Sequence, residues 1–405
     1  MSQPTDQPDQ PTQPSLLAKG LAKRLAQAER QALKRHVAIR QADGGSIKLC
    51  IDGATYLNFS SNDYLGLAQC ADGSLLDTAS QSFGLSSSAS HLITGHTELH
   101  QRLETELAQW LGYQRVLLFS TGYMANLAIA SALTDRHSLF LQDKLNHASL
   151  IDAGQISRAE FIRYQHNSAD DCERLLSLKN KPALIATDGV FSMEGDLAPL
   201  ADLAKVASAH QALLYVDDAH GLGVLGQHGR GSIQAAGLSP AQAPLLMGTL
   251  GKALGSFGAF IAGSQSLIDG IQQFARPYIY TTALPASVIA TSLHNVERLK
   301  NEPERQQQLT AHIQHFRQLC QHYRLPVMDS QSAIQPIMVG DAKLALNLSQ
   351  ALKQKEFWVN AIRPPTVPKH TARLRIALSA AHHSGMIEQL CHTLFEVFDE
   401  AHLLS

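Results

Sequence analysis

Apolar residues recur at helical spacing at Leu17, Leu21, Leu25, Ala28 and Ala32, with Lys19, Lys23, Arg24, Arg30 and Lys34 elsewhere on the wheel. That pattern predicts an amphipathic helix starting near Ser15. A short hairpin is expected over 47–57, then a polar loop over 59–67. Leu99, Leu103, Leu107 and Leu111 mark a second helix, capped by Thr97 and closed by Gly112. From there apolar runs at 116–119, 139–141, 183–186, 212–216 and 244–247 read as strands, with helices over 123–133, from Asn146 onward and over 201–210. Strands alternating with helices at this spacing indicate an α/β fold with a mainly parallel sheet covered on both faces.

Past Thr291 the character changes to a smaller α+β unit. A polar helical stretch broken near Pro303 runs to Tyr323, followed by a strand (334–339), a helix (342–357), two strands (358–363 and 373–378) and a last helix. Residues 1–14 are almost all Gln, Pro, Asp, Ser and Thr, too polar to bury a core, and are expected to form a disordered tail. The resulting division is a tail (1–14), an N-terminal helix and hairpin (15–60), a large domain (61–290) and a small C-terminal domain (291–405).

Composition narrows the partners. Lysine plus arginine (33) nearly balances aspartate plus glutamate (35), so no global field draws nucleic acid or an anionic membrane, and neither is an expected partner. Cys50, Cys70, Cys172, Cys320 and Cys391 are an odd, scattered set without CxxC spacing, which argues against a disulfide framework and against a zinc site. No apolar run approaches a membrane span, and no basic region followed by an apolar one opens the chain, so a cytoplasmic location is expected.

In open α/β sheets ligands bind beyond the carboxyl ends of the strands. That rule singles out Gly122, His147, residues 188–192, residues 217–220 and Lys252. Lys252 lies in Thr-Leu-Gly-Lys-Ala-Leu-Gly, which reads either as a turn lysine between glycines or, if buried, as an amine able to join an aldehyde such as pyridoxal phosphate. Gly122 and Tyr123 follow a strand and open a helix; their free N–H groups suit a phosphate, or form a plain turn. Asp217, in Val-Asp-Asp-Ala-His-Gly, is a carboxylate at the mouth of a buried strand and needs a cationic or hydrogen-bonding partner. A protonated pyridine nitrogen qualifies, as does a cap or a metal, but no further ligand cluster supports a metal. Residues 221–226 spell GxGxxG after a strand, yet no Asp or Glu occurs from Gln227 to Lys252, where the ribose partner of a dinucleotide fold belongs.

Asp217 at one strand end and Lys252 at the next, with His220 between them, resembles the α-oxoamine synthases, pyridoxal-phosphate enzymes of aminotransferase fold type I. The resemblance runs from about Leu33 to the C-terminal helix and implies a seven-stranded-type sheet. It implies that Lys252 carries the cofactor, Thr249 and the Gly122–Tyr123 backbone hold its phosphate, and Asp217 faces the ring nitrogen. It further implies that Ser192 (in Val-Phe-Ser-Met-Glu-Gly-Asp) and His220 meet the ring hydroxyl, and that His147 (in Asn-His-Ala-Ser-Leu) stacks on the ring. Thr366, in Ile-Arg-Pro-Pro-Thr-Val-Pro, matches a substrate contact, Asn62 a product contact, and Arg375 an arginine for the amino-acid carboxylate. Arg373 and Arg375 share one strand face, and either suits an ion pair equally well. Lys34 stands where a relative has an arginine for the acyl substrate, and Ser-rich 86–90 replaces a glycine-rich stretch. The 361–366 stretch is nearest to family members that condense L-alanine with a pimeloyl thioester, on coenzyme A or an acyl-carrier protein. Glycine C-acetyltransferase and 5-aminolevulinate synthase share the cofactor residues. A homodimer is also implied, with Thr281 or Thr282 reaching the partner's phosphate.

Overall fold

A computed structural model describes residues 15–31, 33–42, 45–69 and 73–404. The expected tail, Ala32 and Cys70 lie outside the described residues. The central sheet has seven strands, and their spatial order is Arg115–Phe119, Ala259–Gly263, Leu245–Thr249, Leu213–Asp217, Ala183–Asp188, Leu139–Asp143 and Glu160–Tyr164. Every pairing is parallel except those of Ala259–Gly263, which runs against both of its neighbours. The sequence reading lacks two of these strands. Glu160–Tyr164 is a half-exposed edge strand with a charged residue at two of five positions, and Ala259–Gly263 is short and follows a glycine-containing loop.

Strand side chains alternate between the two faces. Val116, Leu118, Ile185, Val216, Leu246 and Phe260 enter one buried cluster, while Leu117, Phe119, Leu184, Tyr215, Met247 and Ile261 enter the other. Helix Glu98–Leu111 covers the first face; its Thr97 capping box and the left-handed Gly112 (φ 78°) fix both ends. Helix Gly122–Leu133 covers the second, with the Thr121 hydroxyl accepting from Met124 N.

Gly248 lies on a central strand, where a Cβ would sit 2.2 Å from Leu222 Cδ1 and 2.5 Å from Phe260 Cζ. Gly248→Val is therefore expected to destabilise the fold by about 1–3 kcal/mol or more. Chemical denaturation of the variant measures this, and an unchanged midpoint would refute the packing account.

In the C-terminal half, helices Ala286–Asn301 and Pro303–His322 are separated at Glu302, the residue whose helical conformation the following proline disfavours. The expected strand over 358–363 is two pieces. Phe357–Trp358 pairs in parallel with Leu57–Asn58 of the N-terminal hairpin, and Asn360–Ile362 pairs with Arg373–Arg375. Buried Val359 marks the crossing between sheets. The N-terminal helix Leu16–Arg30 forms as expected, capped by Ser15, but buries none of its residues, and Leu17 is 88% exposed.

Candidate functional site

The parallel strands all end on one side of the sheet, where Gly122, His147, Ser192, Asp217, Thr249 and Lys252 line a single cleft together with His220. Lys252 sits on the loop between the two antiparallel neighbours Leu245–Thr249 and Ala259–Gly263. That loop is closed by Leu250 N to Gly258 O (2.9 Å), Ser256 N to Leu250 O (2.8 Å) and Gly255 N to Lys252 O (2.8 Å). Gly255 is required: at φ 60°, a Cβ would fall 2.4 Å from Ala68 N.

Lys252 Nζ lies 2.9 Å from His220 Nε2. Burial pushes the lysine pKa down to about 8, against the pull of Asp217 and Asp188. Burial also takes the His220 imidazole well below its usual range, with Lys252 and Arg375 adding to the shift. His147 caps helix Ala148–Ile156, and its Nδ1 is 2.7 Å from Ser149 Oγ. Its pKa is lowered first by desolvation in the cleft, with Asp217 opposing and Lys252 reinforcing.

Asp217 is held from two sides: Asn126 Nδ2 donates to Oδ2 (2.8 Å) and Ala219 N to Oδ1 (3.1 Å). Asn126 is in turn fixed by the Tyr215 hydroxyl. The neighbouring strand end places Asp188 opposite Asp217 in register. Asp188 Oδ2 accepts from His147 N (3.1 Å), but its buried Oδ1 has no hydrogen-bond partner among the described residues. Burial first, and Asp217 second, push the Asp188 carboxyl well up. The strand-end rule already singles out Asp188, whereas Asn126, in helix Gly122–Leu133, belongs to no motif and is tied to the site only by its bond to Asp217.

The residues fit pyridoxal phosphate by the chemistry of their donor set. A lysine amine, an oriented carboxylate and a helix N-terminus whose first amides lack intrahelical acceptors converge on one space. A Cβ on Gly122 would press within 3.1 Å of Thr249 Cγ2 and 3.2 Å of Met247 Cε, so the wall there admits only glycine without adjustment. Among the described residues no group of three or more His, Cys, Asp or Glu is placed to hold a metal ion.

The GxGxxG stretch serves another purpose. A Cβ on Gly221 or Gly231 would lie 2.0 Å from an Asp218 carboxylate oxygen, so these glycines wrap a buried side chain. Burial pushes Asp218 up to about 7.

Arg373 and Arg375, both buried, separate in role. Arg373 pairs with Glu194 (2.9 Å) and donates to Met193 O, whereas Arg375 donates to Ser192 O (2.7 Å) and Asn62 Oδ1 (3.3 Å); neither Arg375 nor Asn62 lines the cleft itself, but Ser192 does. Lys34 and Thr366 do not line this cleft. The helix stops at Arg30, Lys34 Nζ turns back to Glu29 (2.9 Å), and it is Arg35 that reaches Thr366 Oγ1 (3.1 Å). The Ser-rich stretch is stitched to 282–284: Ser90 bridges Thr282 and Ser87 Oγ donates to Ala283 O (2.9 Å). The Thr281 hydroxyl donates to Pro277 O (2.7 Å).

Behind the cleft, His166 bridges Asp143 (3.0 Å) and Asp196 (2.9 Å) and meets Phe191 edge-on. Burial alone would depress its pKa, but the two carboxylates push it up to about 10. A folded value above the unfolded one, near 6.5, means stability fully present below about pH 6.5 and lost as pH rises toward 10. Thermal unfolding of the wild type is expected to weaken across that window, and His166→Gln to flatten the trend; parallel profiles would refute it.

Residues 54–394 match the family model described as aminotransferase class I and II. The 8-amino-7-oxononanoate synthase of Saccharophagus degradans is 48% identical over 381 residues, covering 92% of this chain and 95% of that protein. A solved serine palmitoyltransferase from S. paucimobilis, with bound PLP-myriocin, superposes with a TM-score of 0.91 at 28% identity, covering 96% of this chain and all of that one (100%). An 8-amino-7-oxononanoate synthase structure from Francisella tularensis gives a TM-score of 0.75 at 31% identity, over 86% of this chain and 99% of that one. The chain belongs to the class I and II aminotransferase family, in the branch occupied by the 8-amino-7-oxononanoate synthases.

Proposed function

We propose that the cleft binds pyridoxal 5′-phosphate and that the chain condenses L-alanine with a pimeloyl thioester, releasing 8-amino-7-oxononanoate, carbon dioxide and the free thiol carrier, a step of biotin synthesis. The observation that carries this reading is the convergence of Lys252, His220 and Asp217 with the Gly122 helix end in one cleft. It is supported by the 48% identity to a protein of that name.

When bound, the cofactor supplies an electron sink for charge developing on the amino acid's α-carbon. The chain's own residues do the rest. Lys252, with its pKa near 8, keeps a usable fraction of free amine at neutral pH, so it can hold the cofactor's carbonyl carbon and, once displaced, take the α-proton. Asp217, fixed by Asn126 and the Ala219 amide, would present negative charge to a ring nitrogen and so favour its protonated form. The Gly122 and Tyr123 amides and the Thr249 hydroxyl would hold the phosphate, His220 and Ser192 would bind the ring hydroxyl, and His147 would support the ring, all of them lining the one cleft. Arg375 offers its guanidinium to the amino-acid carboxylate from beside Ser192, to whose carbonyl it donates. For the acyl group we assign Asn62, Thr366 and Lys34 as contacts; Lys34 lines a separate groove with Arg35 and Pro365, and Arg35 holds the Thr366 hydroxyl beside it.

The test compares thiol release from pimeloyl thioester plus L-alanine with that from acetyl-CoA plus glycine. The first pair is expected to be faster; the reverse order would reassign the enzyme to a sibling activity. Running the first reaction with coenzyme A and with acyl-carrier protein as thiol identifies the donor.

We also infer a homodimer, supported by exposed Leu85 (82%), Ile93 (74%) and Tyr280 (69%) around the Ser90–Thr282 bridge. Sedimentation at micromolar concentration tests it, and a monomer would overturn it. Work in the cytoplasm is consistent with the absence, among the described residues, of any helix long and apolar enough to cross a membrane.

A further inference from the structure

We propose that Tyr64 and Asn62 form a positioning relay from Arg375 that fixes His220 in the tautomer with hydrogen on Nδ1, leaving Nε2 as the acceptor that faces Lys252. The assignment follows from counting donors along one chain of contacts. A guanidinium can only donate, so the Asn62 atom 3.3 Å from Arg375 Nη2 is the carbonyl oxygen, Oδ1. The Tyr64 hydroxyl is 3.1 Å from that same oxygen and spends its one hydrogen there. At 2.7 Å from His220 Nδ1 the phenol oxygen therefore accepts, and Nδ1 carries the hydrogen. In a neutral imidazole Nε2 then has a lone pair, and it lies 2.9 Å from Lys252 Nζ, which donates to it.

The relay is largely shielded from water: Asn62 is half-buried, and the other three side chains are buried. Tyr64 is fully buried, and His220 and Arg375 are each 8% exposed. Burial together with the positive charges of Lys252 and Arg375 holds His220 neutral, so a single tautomer is a meaningful state. Tyr64 touches none of the reacting atoms and acts only through His220. Arg375 stands at the other end, so a carboxylate bound there competes for the hydrogen given to Asn62, and Arg375 and Lys252 are joined through three side chains.

The inference rests on the proposed function only in treating Lys252 and His220 as the cofactor pair, and its test needs no cofactor. Protein labelled with nitrogen-15 histidine, prepared without cofactor, is observed by long-range proton–nitrogen correlation NMR, with His220→Gln identifying the resonance. The wild type is expected to show Nδ1 bearing hydrogen and Nε2 bare. Tyr64→Phe removes the acceptor, and the tautomer ratio is expected to move about fivefold or more toward hydrogen on Nε2, as for the loss of one buried hydrogen bond. Asn62→Asp, which still accepts from both Arg375 and Tyr64, should keep the wild-type tautomer, while Asn62→Leu should behave as Tyr64→Phe. A purely structural role predicts equal damage in both Asn62 variants and no tautomer change. Hydrogen on Nε2 in the wild type, or an unchanged ratio in folded Tyr64→Phe, overturns the relay. Borohydride fixation of pyridoxal phosphate by the wild type is scored separately, so failure of the cofactor reading and failure of the relay are distinguishable.

Discussion

Replacing Lys252 by alanine is expected to lower turnover of alanine and pimeloyl thioester more than about a thousandfold, because covalent anchoring and general-base action are each large and both reside on one amine. The variant should still fold. Lys252 is partly buried at a loop whose backbone bonds, Leu250 to Gly258 and Ser256 to Leu250, do not involve its side chain. It should also still bind the cofactor without fixing it, since the Gly122 helix end, Thr249 and Asp217 remain. Two measurements separate these statements: steady-state thiol release, and retention of cofactor colour through denaturation after borohydride. Appreciable turnover, or cofactor fixed to the variant, removes Lys252 from its role.

The two arginines of strand Ala372–Ala377 should fail in opposite ways. Arg375→Ala is expected to reduce kcat/KM for the amino acid on the order of a hundredfold or more, the usual result of deleting one partner of a desolvated charge pair, while the thioester KM changes little. Arg375→Lys should rescue poorly, because the ammonium lacks the two-pronged fork. Arg373→Ala leaves Glu194 buried without its partner and is expected to cost about 3–5 kcal/mol of stability. Kinetics of that variant, taken well below its melting temperature, should stay close to the wild type. If the kinetic loss follows Arg373 and the stability loss Arg375, the assignment is inverted.

The sequence showed only that Arg373 and Arg375 share a face. What separates them is Glu194 and Ser192, contributed by a loop about 180 residues earlier, and pairing across such a distance leaves no local pattern. The large sheet was legible because its parallel strands are buried on both faces and read as apolar runs bounded by turns. Glu160–Tyr164 escaped because an edge strand need not be apolar, and Ala259–Gly263 because four apolar residues between Gly258 and Gly263 carry little signal. Strand-end chemistry at Asp217, His220 and Lys252 was legible for the same reason as the sheet: a polar residue directly after a buried run stands out. Asn126 and Tyr64 were not, since a polar side chain in a helix or loop acquires meaning only from what it faces. Nor does the sequence show the ion pair that draws Lys34 Nζ back to Glu29, a contact set by where the chain leaves the N-terminal helix.

The reversed strand Ala259–Gly263 gives Lys252 something the other strand-end residues lack. His147, Asp188 and Asp217 each stand where the chain leaves the sheet for a long excursion before returning to a neighbouring strand, so an excursion can lengthen or shorten with little effect on the residue at its start. Lys252 stands on a return that begins at Thr249 and ends at Ala259, between strands already hydrogen-bonded to each other. Its position is thus tied to the sheet from both sides. The chain could be reopened and rejoined elsewhere, in the surface turn around Gly237 for instance, where a Cβ meets nothing within 4 Å, with the lysine still in place. Opened between Lys252 and Ala259, the same residues would keep their sheet and lose their chemistry.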